Sequence, residues 1–343
     1  MVQPKISIIV PVYNSEKYLL NCLRALSVQT LKDIEVVCID DGSTDKSLAI
    51  LTKHAEKDKR FKVYTQKNAG PAAARNEGLK KAQAPYLMFC DADDWYEPNM
   101  CECLYQKIKA GAYDVISCYP ILEIEDGGNR PIPKEYYFPP KGLSTAPIML
   151  NCFLWSKIFK KSLIDQHHIT FPDGYLHDDD AFWAMYVLVS SNVFVLDKKL
   201  YHYRIRPDSI MDHYFSHKQK DYTDRLAILQ VVCQFAKDHH LLPEKEVFLF
   251  QFCQAQLKTA LQFCNKDKVF SLLPVFNSFF KNIIFSVHNQ KLIYAPSKKL
   301  RLKHYGYSLL NILTLKKNKA IVQKHKVLRG LFRRIKKTRK DNP

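Results

Sequence analysis

The chain of 343 residues is 47% hydrophobic and 25% charged, enough apolar material to bury a sizeable core in one large α/β domain or two smaller ones, which excludes a disordered chain or a mini-protein. Its apolar runs, such as Ile6 to Val12 and Tyr86 to Cys90, are strand-sized and fall short of the ~18 to 20 residues that span a bilayer, so no transmembrane helix is expected. The net charge of +18 is uneven: residues 298–343 hold 16 Lys or Arg and one acid, a net of +15, and the remainder is near neutral at +3. The basic character therefore concerns a partner of the tail, not a nucleic-acid-binding face spread over the body.

In chain order, Lys5 precedes ISIIVPV (Ile6 to Val12), which ends in polar Asn14, Ser15 and Glu16 without a small-residue cleavage site. This predicts a first strand, not a signal peptide, and a cytosolic protein. Tyr18, Leu19, Cys22, Leu23 and Leu26 then recur at helical spacing. IEVVCID (Ile34 to Asp40) predicts a second strand, followed by a Ser/Thr/Asp cap and a helix through Leu48 and Leu51. FKVYT (Phe61 to Thr65), a helix over about Ala72 to Ala82, and PYLMFC (Pro85 to Cys90) repeat the theme. Buried strands joined by helices imply a Rossmann-like, mainly parallel α/β sheet, with ligands at the carboxyl ends of its strands.

Pro120 to Pro147 is rich in Pro, Gly and Glu and predicts a long loop or irregular hairpin. Periodic structure resumes at Asn151, and beyond about Ser216 the pattern is helical: Tyr222 to Ala236, Glu244 to Phe263, and an apolar segment to Val287. The expected organisation is a nucleotide-binding domain over 1–215, a helical region over 216–297 and a basic tail over 298–343. The ten cysteines sit on apolar strand-like or helical patterns, and the close pair Cys101 and Cys103 has no second pair to complete a zinc site. Reduced, buried thiols are expected.

Three strand ends carry candidate chemistry: Pro11-Val12-Tyr13-Asn14, then Asp40-Asp41-Gly42-Ser43-Thr44-Asp45, then Asp91-Ala92-Asp93-Asp94-Trp95. Each alone is compatible with turn or cap chemistry. Together on neighbouring strands they cluster carboxylates that repel one another and call for a metal or a cationic ligand. Oxygen donors spaced Asp-x-Asp suit Mn²⁺ or Mg²⁺ bound with a phosphate. No Gly-x-Gly-x-x-Gly or P-loop is present, which removes the main support for a dehydrogenase or an NTPase.

With ISIIVPVYN, IDDGSTD, NAGPAAARNEGLKKAQAPYLMFCDADDW, WSKIFKKSLI, HHITFPDGYLHDDDAFW and YHYRIRPDSIM in order, residues 5 to about 212 resemble the family 2 glycosyltransferases of the GT-A fold. The resemblance implies a donor-nucleotide site formed by Pro11, Tyr13, Asn14, Asp41, Arg75, Asp91 and Ala92. Within it Tyr13 would pack on the base, Asp41 accept the uracil N3 proton and Arg75 lie near base or diphosphate. Asp93 and Asp91 would hold the metal, Asp91 also lying nearer the ribose.

The resemblance also implies a catalytic base in inverting members, three residues before Phe182, which is Asp179. Asp178 stands where Glu is usual and Asp180 extends the run, so any of the three could serve, or one could cap the helix Ala181 to Val189; the register favours Asp179. Arg204 and Arg206 are candidates to stabilise the departing diphosphate, with a solvated pair at a strand end as the alternative. One of His177, His202 and His213 could complete a metal site, and Trp155 and Trp183 could form an acceptor platform or pack in the core.

In the tail, Leu328, Leu331, Phe332 and Ile335 recur at helical spacing among Arg329, Arg333, Arg334, Lys336 and Lys337. This is the pattern of an amphipathic helix for an anionic membrane surface, each basic residue contributing about 1 kcal/mol, with a solvated or disordered basic tail and RNA binding as the alternatives. The expected function is inverting, metal-dependent transfer of a hexose or N-acetylhexosamine from a UDP-sugar to a glycan or lipid-linked glycan hydroxyl. It would act in lipopolysaccharide, capsule or other surface-glycan synthesis, peripherally at the inner face of the cytoplasmic membrane. The alternatives are a nucleotidyl- or phosphotransferase using the same metal site, or a non-catalytic nucleotide-binding module.

Overall fold

The structure is a computed structural model and describes residues 3–125, 152–206 and 218–241, with isolated positions between 245 and 256. The chain divides into two compact units, Met1–Cys253 and Gln254–Pro343, and every described element belongs to the first. The basic tail, His213, residues 126–147 of the expected loop and the apolar segment to Val287 lie outside the described residues, as does most of the pattern from Glu244 to Phe263.

Eight strands form one sheet: β1 (Ile6–Val12), β2 (Ile34–Asp40), β3 (Phe61–Thr65), β4 (Tyr86–Phe89), β5 (Trp95–Tyr96), β6 (Val115–Ile124), β7 (Lys157–Lys160) and β8 (Val193–Ile205), in the order β3-β2-β1-β4-β7-β6-β8-β5. The half from β3 to β4 is parallel, as the alternating strand and helix patterns imply. Beyond β4 the sheet is mixed: β7 runs antiparallel to both neighbours, β6 and β8 are parallel, and β5 is antiparallel to β8. Pro120 to Ile124, expected to open the loop, instead extend β6. Pro120 is tolerated because β7 pairs only with Val115 to Ser117, and the register against β8 shifts around Tyr119.

The helices are α1 (Leu19–Ser27), α2 (Ser47–Lys57), α3 (Pro71–Lys81), α4 (Met100–Ala110), α5 (Lys161–Gln166), α6 (Asp178–Val189) and α7 (Lys218–Asp238). In α1, Leu19, Cys22, Leu23 and Leu26 form one apolar stripe buried against Ile6, Ile8, Val10 and Val12 of β1. Each such side chain contributes roughly 1.5–3 kcal/mol on burial. On the opposite face α3 packs on Val37 and Ile39 through Ala74, and it comes so close to β1 that a Cβ at Gly78 would collide with the Ile9 side chain. Gly70, at φ 92°, and Pro71 at the first helical position fix where α3 begins. The α2 cap is formed from outside the cap position: Lys46 occupies that position, and Asp45 Oδ1 accepts the Ser47 N–H at 2.8 Å.

Among the described residues nine cysteines are free, seven of them buried. No described helix is long and apolar enough to cross a membrane.

Candidate functional site

Because β2, β1 and β4 are neighbours, Tyr13, Asp41 and Asp91 leave the same edge of the sheet. Pro11 lies past the end of β4, which pairs only with Ile6 to Ile9, so its missing N–H interrupts no ladder there. Tyr13 is 49% exposed, an aromatic face presented at the strand end. Asn14 takes φ 45°, and its Oδ1 accepts the Thr44 N–H at 2.8 Å while its own N–H donates to Ser43 Oγ at 3.1 Å. The Ser-Thr pair thus laces the β1 and β2 ends together. Asp41 is only 3% exposed. Its Oδ1 accepts from Gln66 Nε2 (2.7 Å) and Ala69 N–H (2.9 Å), and its Oδ2 from Gly70 N–H (2.8 Å). A carboxylate has about four acceptor positions, so roughly one is left for a further donor.

The Asp-x-Asp segment lies between β4 and β5, not at a helix start. Burial first, then the charges of Asp93 and Asp178, push the Asp91 carboxyl up, with Arg75 working against them. Asp94 is pushed well above the usual range by burial and by Asp93 and Asp91. It nevertheless accepts from Tyr201 Oη at 2.6 Å and from the Arg204 N–H at 2.8 Å. Ala92 is buried between them.

Strand alternation in β8 puts His202 and Arg204 on one face, and Arg206 just beyond the strand continues the line. Arg204 Nε donates to the Asp93 carbonyl (2.8 Å) and Nη1 to Glu125 (2.7 Å), with its guanidinium over Trp95 and Tyr18. Arg206 Nε pairs with Asp93 Oδ2 at 2.9 Å and also lies over Tyr18. Neither is a solvated strand-end residue. The reading of His202 as a metal ligand is corrected: its Nδ1 lies 2.8 Å from Glu123 and its Nε2 2.7 Å from Glu97, so both ring nitrogens are taken. Trp155 and Trp183 are likewise corrected to core residues, 6% and 1% exposed. Trp155 stacks on Tyr201 and Tyr203, and Trp183 meets Phe159 edge-on.

Asp178, Asp179 and Asp180 make the first turn of α6, behind His177 in a left-handed conformation at the cap position. The flanking acids do not cap the helix; they form ion pairs. Arg75 Nη1 donates to Asp178 Oδ2 at 2.7 Å while Nη2 lies 3.5 Å from Asp91, so one guanidinium links the Asp-x-Asp segment to the α6 turn. Arg225 of α7 pairs with Asp180 at 3.4 Å. No described cation lies within ion-pair distance of Asp179, whose Oδ1 accepts only the Asp180 N–H at 3.0 Å. Burial, then Asp180 and Asp178, push its carboxyl up to about 7, against Arg75 and His177. Below the turn, Lys157 is fully buried, held by the Phe153 carbonyl and placed over the Trp183 ring at 4.6 Å. Burial pushes its ammonium down to about 7.

Among the described residues no group of three His, Cys, Asp or Glu side chains makes a ready metal site. The donor set at Asp91 and Asp93 nonetheless fits a divalent ion. It is all hard oxygen, and the repulsion that raises Asp91 and Asp94 is what a cation would relieve. Such an ion would take its other ligands from a phosphate and water.

Sequence reasoning missed Tyr201, Glu125, Lys157, Asp224 and Arg225, and it placed Asp94 in the acidic motif without a role of its own. Of the missed residues only Tyr201 carried a signal, since it and Tyr203 alternate with His202 and Arg204.

Comparison with known proteins bears on this geometry. The family described as Glycosyl transferase family 2 matches residues 7–173. The EpsH protein of Bacillus subtilis (strain 168) is 34% identical over 257 residues, 71% of this chain and 72% of that protein. Glycosyltransferase GlyG of Streptococcus pneumoniae serotype 4 is 32% identical over 229 residues, 60% of this chain and 72% of GlyG. Among solved structures, S. aureus TarS residues 1–349 in complex with UDP-GlcNAc superposes with a TM-score of 0.56 at 24% identity, covering 75% of this chain and 81% of that one, a likeness of fold. The chain belongs to the family 2 glycosyltransferases and is a glycosyltransferase with the GT-A fold.

Proposed function

We propose that this glycosyltransferase inverts the anomeric centre, moving a hexose or N-acetylhexosamine from a UDP-sugar to a glycan hydroxyl with Asp179 as the base. The observation that carries the reading is the division of labour in the acidic turn: among the described residues Asp178 and Asp180 each have an arginine, and Asp179 has none. An acceptor hydroxyl ionises far above neutral pH, so its proton must leave as the new bond forms; a carboxylate near 7 is matched to taking it. A non-catalytic nucleotide-binding module would have no need of such a group.

On the donor side, Tyr13 offers its exposed ring to the base and Asp41 its remaining acceptor position to the uracil N3–H. Asp91 and Asp93 would hold Mn²⁺ or Mg²⁺, which when bound offsets the charge of the leaving diphosphate. Arg206, now on Asp93, and Arg204 are within reach of the same charge and would turn from carboxylate to phosphate oxygens. Arg75 keeps Asp91 and the α6 turn in fixed relation, so the acceptor hydroxyl meets the sugar at a set distance from Asp179. The UDP-GlcNAc bound by TarS supports a UDP-sugar donor.

The acceptor is proposed to be a lipid-linked or surface glycan at the inner face of the cytoplasmic membrane, reached through the basic tail, whose net charge is +15. The test begins with a thermal-shift screen of UDP-, GDP- and TDP-sugars with Mn²⁺. With the donor so identified, Asp179→Asn should lower turnover by ~10² or more while leaving donor affinity nearly unchanged. Undiminished turnover in Asp179→Asn, or the same loss appearing in Asp178→Asn or Asp180→Asn instead, would remove Asp179 from the reaction.

A further inference from the structure

We propose that Asp224 and Arg225 of α7 are positioning residues of the transfer site, fixing the acidic turn of α6 and balancing the charge beside Asp179. The inference rests on Asp179 being the base. It extends the catalytic unit into a helix that lies beyond residues 7–173, the stretch the family matches.

The two residues are adjacent, opposite in charge, and 6% and 5% exposed. Burying two charges costs several kcal/mol unless each is matched, so side chains that serve only to dock a helix are usually apolar. Both reach the entrance of α6. Asp224 Oδ2 accepts the Leu176 N–H at 2.8 Å, and Arg225 Nη1 lies 3.4 Å from Asp180 Oδ2. Between those anchor points sits His177 at φ 69°, a conformation a non-glycine residue keeps only when its surroundings hold it there. Asp179 is then tied to the anchored residue directly, because its Oδ1 accepts the Asp180 N–H. Where Asp180 goes, the base follows.

Arg225 also has an electrostatic role. Among the described residues the charged and titratable groups around Asp179 are Asp178, Asp180 and His177 on its own turn, Arg75 from α3, Lys157 from β7, Cys152 ahead of β7, and Arg225 behind Asp180. Asp180 is the charge that raises Asp179 most, after burial, and Arg225 pairs with it. Removing Arg225 takes away that pairing and must make Asp179 hold its proton to higher pH. Removing the Asp180 charge must do the opposite.

The test is the pH dependence of kcat in the full-length enzyme. Arg225→Met should move the acidic limb to higher pH, by up to about one pH unit, with the donor KM unchanged. Asp180→Asn should move it to lower pH, the double variant should return near the wild-type position, and Arg225→Lys should restore it. A docking role alone would lower kcat in all of them without moving the limb, and that result overturns the proposal. Should Arg225→Met fail to fold, Asp180→Asn still decides the sign, and an unmoved limb in that variant is equally fatal. Asp179→Asn measured in parallel separates the two claims: if it is inactive and the limb of the others stays put, the base stands and the positioning role falls.

Discussion

Asp179→Asn should make the protein inactive and more stable at once, and the stability gain should grow with pH. In the folded chain burial, Asp180 and Asp178 move this carboxyl from its ordinary 3.8 to about 7. Each pH unit of displacement corresponds to ~1.4 kcal/mol, so holding the ionised group in place costs at most ~4 kcal/mol. Partial exposure of Asp179 and the desolvation of the replacing amide bring the expected gain to roughly 1–3 kcal/mol. The sign follows from proton counting. Below about pH 4 the carboxyl is protonated in both states and the substitution changes little. As pH rises the unfolded chain releases its proton first while the folded chain retains it, so wild-type stability falls until about pH 7 and then levels off. The variant has no such proton to lose. Urea unfolding of both proteins at pH 4.5, 6 and 8 should show midpoints that separate progressively, by several degrees in parallel thermal scans. A variant no more stable than wild type at pH 8, or a gain independent of pH, would refute the account of Asp179 as a half-buried acid held up by its acidic neighbours.

Two further outcomes are expected. Asp93→Ala should fold and yet lose transfer by ~10² or more, along with any Mn²⁺-dependent thermal stabilisation by UDP. Activity retained in that variant, or wild-type activity undiminished in chelator, would remove the metal from the site. Deleting residues 320–343 should release the protein from anionic vesicles, as should raised salt, while transfer to a small soluble acceptor persists; continued sedimentation of the truncated chain with such vesicles would reassign the tail.

The parallel half of the sheet was legible because each of its strands is an apolar run followed by a helical stripe, and the motif residues fall at the strand ends by arithmetic alone. Pro120 misled because proline marks loops in most settings. It survives in β6 only where β7 has already ended. His202 misled because its partners, Glu97 and Glu123, come from β6 and from the segment beyond β5, which no local pattern brings together. Trp155 and Trp183 offered rings whose chemistry serves a sugar or a core equally, and only burial separates the two. Asp224 and Arg225 gave no signal, since a charged pair on a helix reads as a solvated face until a second helix covers it. In the acidic run, register with Phe182 singled out the middle residue, but the arginines that occupy its neighbours come from α3 and α7 and are visible only once the chain is folded.

The two consecutive residues Arg75 and Asn76 give α3 the character of a jig. Arg75 spans Asp91 and Asp178. Asn76 grips the backbone ahead of α6 from both sides, its Nδ2 donating to the Phe171 carbonyl and its Oδ1 accepting the Phe171 N–H, each at 2.8 Å. One short helix, opened by Gly70 and Pro71 and wedged against β1, therefore gauges the separation between Asp91 and the α6 turn. If Asp91 and Asp179 serve the two ends of the reaction as proposed, the distance between those ends is a property of two adjacent side chains on one helix, set when α3 docks on the sheet and before any ligand arrives.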